Sequence, residues 1–156
     1  MTMNNMQIRV GPLDNPQVLA LLSEHHQDML SHSPIESVHA LDISALKAAD
    51  VTFWSLWCAD QLMGIGALKQ LNKHHGEIKS MRTSAQFLRQ GVAHKILAHL
   101  IAEARVRGYQ RLSLETGSMD AFKPAQKLYQ QFGFQACSPF GDYKLDPYSS
   151  FLDLAL

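Results

Sequence analysis

Apolar and polar residues alternate from the first turn of the chain. Met6, Ile8 and Val10 are separated by polar positions, the period-two signature of a strand. Asp14 and Pro16 then read as cap and first-turn proline of a helix. Val18, Leu19, Leu21, Leu22, Met29 and Leu30 give that helix an apolar face, and it is expected to stop near Ser31 to Pro34. A weaker, shorter helix is predicted over Asp42 to Ala49. The β-rich run Val51 to Cys58, the turn Ala59-Asp60-Gln61 and the run Leu62 to Lys69 predict a hairpin. A polar turn at Asn72 to Gly76 leads into a further strand, Glu77 to Thr83. Val92, Ala93, Ile96, Leu97, Leu100, Ile101 and Ala104 form one helical stripe, stopped by Gly108 after Arg105 and Arg107. Arg111 to Thr116 reads as a strand, Pro124 to Phe132 as a helix ending at Gly133, and Phe134 to Cys137 and Ser150 to Leu156 as closing strands. The predicted order is β-α-α-β-β-β-α-β-α-β-β, an α/β domain. No repeat, low-complexity tract or long linker divides residues 1–156, so one domain is expected. Residues 138–149, with two prolines and a glycine, read as the long loop.

Composition narrows the classes. Hydrophobic residues make up 46% of the chain, enough for a core. Lys plus Arg equals Asp plus Glu, 14 each, which lacks the electrostatic footprint of a general nucleic-acid binder. Cys58 and Cys137 do not make a disulfide framework. Met1 to Gln7 shows no basic segment and no apolar signal core, and no apolar run approaches membrane-spanning length. A cytoplasmic protein is expected, monomer or homodimer, with no membrane or nucleic-acid partner. Eight histidines are present, but no HExxH, CxxC or mixed Cys/His spacing, so no metal is expected. His94 and His99 sit off the apolar stripe and read as surface residues. Phe53, Trp54 and Trp57 read as sheet core.

Residues 77–93 carry the strongest chemical signal. A strand enters a short polar loop, the loop meets Gly91, and an amphipathic helix begins there. Such a helix start aims unpaired N–H groups and the positive dipole end at one point, a site for a phosphate-bearing ligand. Gly91 and Ala93 are small enough for close backbone approach, and Arg89 can add a charge-assisted contact. The loop is neither a Walker A sequence nor a dinucleotide fingerprint, lacking Gly-Lys-Ser/Thr and the third glycine. Taken alone, Leu88-Arg-Gln-Gly-Val-Ala93 favours a junction where glycine merely relieves a tight turn.

Downstream, Ala125-Gln-Lys-Leu-Tyr-Gln-Gln-Phe-Gly-Phe134 runs from a helix into a strand. The two segments together resemble the GNAT superfamily of acyl-CoA-dependent N-acetyltransferases. The resemblance covers nearly the whole chain in element order and is most specific over residues 77–134. In that family the pyrophosphate loop reads Q/R-x-x-G-x-G/A. Gly91 and Ala93 match it, whereas Leu88 stands where Gln or Arg is usual, which removes one side-chain contact and leaves the backbone N–H groups. The resemblance implies a mixed sheet of six to seven strands, splayed at the acetyl-CoA slot and flanked by about four helices.

It also implies roles. Met81, Arg82 and Thr83 should lie along the pantetheine arm, and Arg89, Gln90, Gly91, Val92, Ala93 and His94 should hold the pyrophosphate. The implied reaction moves acetyl from acetyl-CoA, a co-substrate, to a small-molecule amine without a metal. Tyr129 stands where many members place a general acid, and a phenol can protonate or hydrogen-bond the departing thiolate; otherwise its ring packs beside Phe132 and Phe134. Glu77 is the candidate base, at the spacing of the strand glutamate in histone-acetylating relatives. Alternatively it forms a structural ion pair with Lys79, two residues on along one strand face. Glu115 is the rival carboxylate. His25 and His26, on the first helix, are candidates for the acceptor pocket. Asp142 and Asp146 of the last loop can attract a cationic amine and Tyr143 and Tyr148 can cover its apolar part, unless the loop is a solvated connection. The segments His25–His32 and Asp142–Tyr148 are expected to face each other across the slot.

Overall fold

The computed structural model describes residues 5–35 and 43–156. Its elements are β1 (Met6–Val10), α1 (Pro16–His32), α2 (Ile43–Leu46), β2 (Val51–Cys58), β3 (Gln61–Asn72), β4 (His75–Thr83), α3 (Val92–Val106), β5 (Arg111–Gly117), α4 (Lys123–Gln131), β6 (Gln135–Ala136) and β7 (Ser149–Ala155). The expected order holds. Three local details differ. Asn15, not Asp14, caps α1, its side chain accepting from the N–H groups of Gln17 and Val18, because it directly precedes the proline at the first helical turn. The second helix is one turn long, since the chain bends at once into β2 with Val51 N–H bonded to Ala48 C=O; Asp42, its expected start, lies outside the described residues. β3 runs on to Asn72, where a tight turn joins it to His75 of β4.

The strands form one sheet in the order β1-β2-β3-β4-β5-β7-β6. Every neighbouring pair is antiparallel except β4 with β5. Helices cover both faces. On one, Leu97, Leu100 and Ala104 of α3 pack with Leu56, Leu68, Ile78, Leu112 and Leu114. On the other, Val18, Leu21 and Leu22 of α1 pack with Phe53, Trp57, Ile65 and Ala67. Trp54 and Trp57 are both buried, on opposite faces, as the period-two pleat requires. Each fully buried large apolar side chain contributes about 1.5–3 kcal/mol. Among the described residues no helix is long and apolar enough to cross a membrane.

Three features of this fold make the site. The first is close approach. A Cβ at Gly64 would stand 2.7 Å from Ile96 and 2.8 Å from Val92, and one at Gly66 would stand 2.7 Å from Ile96. Bare backbone at these positions lets α3 lie low across β3. The second is a fork. β4 and β5 pair only over His75–Ile78 with Arg111–Leu114. Beyond that point β4 stays with β3 as far as Thr83, and β5 stays with β7 as far as Gly117. The third is a bulge. Ala67 pairs with Lys79 and Ile65 pairs with Arg82, so β4 carries one residue more than β3 between them. Ser80, inside the bulge, has φ +53°, a left-handed conformation that costs a non-glycine residue energy.

Candidate active site

The bulge decides which side chains reach the site. In a regular strand, residues of equal parity share a face. Glu77 and Lys79 share the α1 face with the last loop, while Ile78 points into the core beneath α3. Without the extra residue, Arg82 would follow Ile78 toward α3. Instead Met81 packs against the α3-side core and Arg82 turns to α1, where it donates to Asp28 at 3.0 Å and to Glu24 at 3.3 Å.

A cavity of about 580 Å³ opens at the fork. Lys79, Ser80, Met81, Arg82 and Thr83 of β4 line it on one side, and Leu114, Glu115 and Thr116 of β5 on the other. α1 contributes Glu24, His25, Asp28 and His32; α4 contributes Pro124, Ala125, Leu128 and Tyr129. Leu88 and Ala93 also line it, so residues 89–92 span the gap between two cavity-lining residues. The phosphate-site expectation rests on that span. Gly91 is the cap of α3 with φ +81° and carries no side-chain cap bond, and Arg89 is left-handed as well at φ +62°. The first-turn N–H groups of α3 therefore have no cap to satisfy them. Val92 sends its side chain into the core while its backbone begins the helix. Gln90 is exposed, as is His94, whose ring lies 4.7 Å from that of Phe132.

Glu77 is 3% exposed and held in a closed cluster. The Tyr143 hydroxyl donates to its Oε2 at 2.6 Å, and Lys79 Nζ lies 3.4 Å from the same oxygen and donates to the Tyr143 hydroxyl at 2.6 Å. Burial, then the Glu77 charge, pushes the Tyr143 phenol far above its ordinary value, so it remains a donor. Glu115, across the fork, accepts from Ser149 Oγ at 2.8 Å. Tyr129 is buried, its ring edge-on to Phe134 at 5.8 Å, and burial pushes its phenol up to about 12. His25 is pushed down to about 4, first by burial and then by the Arg82 charge, so its imidazole is neutral.

Of the residues expected at the acceptor pocket, His25, Glu115 and Tyr143 line the cavity together with Glu77 and Tyr129. His26 and Asp142 do not: both are exposed and neither borders the cavity. One residue along a helix rotates a side chain by about 100°, which carries His26 outward. Tyr143 turns in because its ring is gripped by Phe140 and Phe151 at 5.1 and 5.6 Å, and its neighbour Asp142 is left in solvent. Asp146 and Tyr148 are tied in a turn, the Asp146 side chain accepting from the Tyr148 N–H, and neither borders the cavity. His25 and His32 of α1 and Tyr143 of the last loop thus line the same cavity. His99 departs from its surface expectation: it is half-buried, edge-on to Trp54 at 5.1 Å. Among the described residues no group of His, Cys, Asp and Glu is arranged to hold a metal ion.

The acidic residues sequence reasoning missed are Glu24 and Asp28. With His32 they recur every fourth residue along α1, a polar stripe at helical period, and that spacing was available as a signal. Ser80 had none, because nothing in its sequence neighbourhood announces a bulge.

Comparison with known proteins bears on this geometry. The profile of the acetyltransferase (GNAT) family matches residues 16–134. The chain is 56% identical over 147 residues to the uncharacterized N-acetyltransferase YsnE of Bacillus subtilis (strain 168), covering 94% of this chain and 97% of that one. It is 51% identical over 149 residues to the uncharacterized N-acetyltransferase YedL of Escherichia coli (strain K12), covering 96% and 94%. A solved Klebsiella pneumoniae structure named for acyl-CoA N-acyltransfer superposes with a TM-score of 0.77 at 25% identity, covering 97% of each chain.

Proposed function

Because the chain belongs to the acetyltransferase (GNAT) family, we propose that it moves an acetyl group from acetyl-CoA to a small cationic or zwitterionic amine, by direct attack in a ternary complex. One observation carries this reading. The fork between β4 and β5 joins an uncapped helix start at Gly91 to a cavity whose lining includes Glu24, Asp28, Glu77 and Glu115 against Lys79 and Arg82. The first end suits a pyrophosphate. The second has an excess of carboxylates and suits an amine that arrives protonated.

The first turn of α3, with Arg89 beside it, would hold the diphosphate, and the open edge of β4 from Ser80 to Thr83 would take the pantetheine arm by main-chain contacts. The thioester would then lie at the fork, near Tyr129. A phenol with a pKa near 12 keeps its proton, so its part is to donate a hydrogen bond to the sulfur as thiolate character develops. The attacking amine must lose a proton. Glu77 is nearly closed off from solvent and its Oε2 already accepts from the Tyr143 hydroxyl, so we route that proton through the phenol: the amine's proton passes to Tyr143 Oη as the phenol's own proton passes to Glu77 Oε2. Glu115 is the competing acceptor. The reading carries with it a single cytoplasmic domain, monomer or homodimer, with no metal, membrane or nucleic-acid partner.

The test is release of coenzyme A thiol from acetyl-CoA across a panel of small amines, amino acids and lysine peptides. Turnover with a small amine supports the proposal. Acetyl-CoA binding without turnover marks a non-catalytic acyl-CoA-binding module, and turnover confined to peptides marks a protein acetyltransferase. Tyr143→Phe should lower kcat about tenfold or more with the KM for acetyl-CoA unchanged, and Glu115→Gln should not. The reverse pattern would move the proton to Glu115.

A further inference from the structure

A buried lysine needs a partner, and Lys79 is 9% exposed. It stands opposite Ala67, immediately before the β4 bulge, and regular alternation puts it on the face of Glu77. Its ammonium lies 2.6 Å from the Tyr143 hydroxyl oxygen, 3.4 Å from Glu77 Oε2 and 5.4 Å from the centre of the Tyr143 ring. The Tyr143 oxygen is itself 2.6 Å from the same Glu77 oxygen. Three polar atoms thus form one triangle, and all three residues line the cavity at the fork. A plain Glu–Lys ion pair would set the ammonium closest to the carboxylate. Here it is closest to a phenol.

Valence fixes where the phenol's proton points. An ammonium only donates, so the Tyr143 oxygen accepts from Lys79. An ionised carboxylate only accepts, so the phenol's one proton goes to Glu77. One lone pair is left on the phenol oxygen to accept from an incoming N–H. Charge supplies the second part. Burial and the charges of Glu77 and Glu115 all hold the proton on the phenol. A relay through this oxygen passes through a moment of phenolate character. The ammonium stabilises that charge at 2.6 Å more than it stabilises the Glu77 carboxylate at 3.4 Å, because Coulomb energy falls with distance. The difference favours handing the proton on.

We propose that Lys79 is a positioning residue for acetyl transfer: its ammonium aims the Tyr143 proton at Glu77 and steadies the phenol oxygen while that proton leaves. This rests on the acetyltransferase reading, with the amine's proton routed through Tyr143. In the step, an N–H bond of the attacking amine breaks as an O–H bond forms at Tyr143 Oη. The former Tyr143 O–H bond breaks as one forms at Glu77 Oε2. Lys79 keeps its protons throughout.

The assay is release of coenzyme A thiol from acetyl-CoA, with butylamine as the cationic amine and L-alanine as the zwitterionic one. Lys79→Met should lower kcat about tenfold or more, with the KM for acetyl-CoA within about twofold of the wild type. Lys79→Gln keeps an N–H donor without the charge and serves where Lys79→Met does not fold; its kcat should fall about threefold or more. Wild-type kcat in either folded variant overturns the proposal. The second readout is a double-mutant cycle. Because Lys79 acts through the phenol, adding Lys79→Met to Tyr143→Phe should change kcat by less than about twofold. Fully additive losses would make Lys79 a packing and pairing residue alone and overturn the proposal as well. Failure of the underlying reading is distinct. A wild type that releases no thiol with either amine, or an unaltered kcat in Tyr143→Phe, removes the reaction or the route, and this role with it.

Discussion

The two ends of the fork are built from different materials. The end at Gly91 is made of main chain: a left-handed glycine, a left-handed Arg89 and the first N–H groups of α3. The end at Arg82 is made of side chains from α1, β4 and the last loop, held by hydrogen bonds and ion pairs between elements far apart in sequence. A backbone site needs only small residues and a helix start, and its ligand must be one that every such helix start can bind. A side-chain site can be tuned to one acceptor, but every member must be brought in by the fold. The difference also sets how each end fails under substitution.

The largest effect is expected at the backbone end. Gly91→Glu places a side chain at φ +81° and a negative charge where a diphosphate would sit. Coenzyme A affinity measured by calorimetry should fall by roughly a hundredfold or more. Unchanged affinity in a folded variant would remove the anion site from the backbone end altogether.

Tyr129→Phe comes next and tests the junction of the two ends. Losing one hydrogen bond to the departing sulfur should lower kcat by roughly ten- to a thousandfold and spare acetyl-CoA binding. An unaltered kcat, with acetyl transfer shown to limit the rate, would leave Tyr129 as a packing residue beside Phe134.

At the side-chain end, His25 ties pH to stability. Its imidazole is held near 4 in the folded protein against an ordinary value of 6.5. The unfolded chain therefore takes up this proton first as pH falls. Stability linked to this group is complete above about pH 6.5 and is lost between there and about pH 4. The loss is on the order of 2 kcal/mol, allowing for partial contact with water. Urea unfolding at pH 7 and pH 4.5 should show that loss in the wild type and a smaller one in His25→Gln. Equal losses would mean that His25 is solvated and that the side-chain end is looser than its contacts indicate.

The smallest effect sharpens the comparison from the other direction. Leu88 is exposed, borders the cavity and contributes no polar group to the loop before α3. On the proposal that the backbone N–H groups carry the site, Leu88→Gln should tighten coenzyme A binding by only about threefold, since one solvated side-chain hydrogen bond adds about 0.5–1 kcal/mol. A gain of a hundredfold would show that side chains matter at that end as well.

What the sequence by itself determined was whatever depends on near neighbours in the chain. The period-two and period-3.6 patterns yield every strand and helix in order, because burial of one face is a local rule. The loop, the glycine and the helix start are contiguous, so the turn and the helix start were legible from residues 88–93, although those residues alone favoured a plain junction and a ligand there was implied only by the family resemblance. The place of Tyr129 on the last helix was legible from the periodic pattern of that helix. Even Glu77 and Lys79 share a face by simple alternation, and they do pair. The tertiary structure decided the rest. Only β3 pairing shows that β4 has an extra residue, and that one residue turns Arg82 from the α3 side to Glu24 and Asp28. Only the grip of Phe140 and Phe151 shows that Tyr143, and not Asp142, reaches Glu77 from 66 positions away. Side-chain direction at a bulge or in a loop is set by what packs against it, and those partners lie tens of residues distant, beyond the reach of any local pattern.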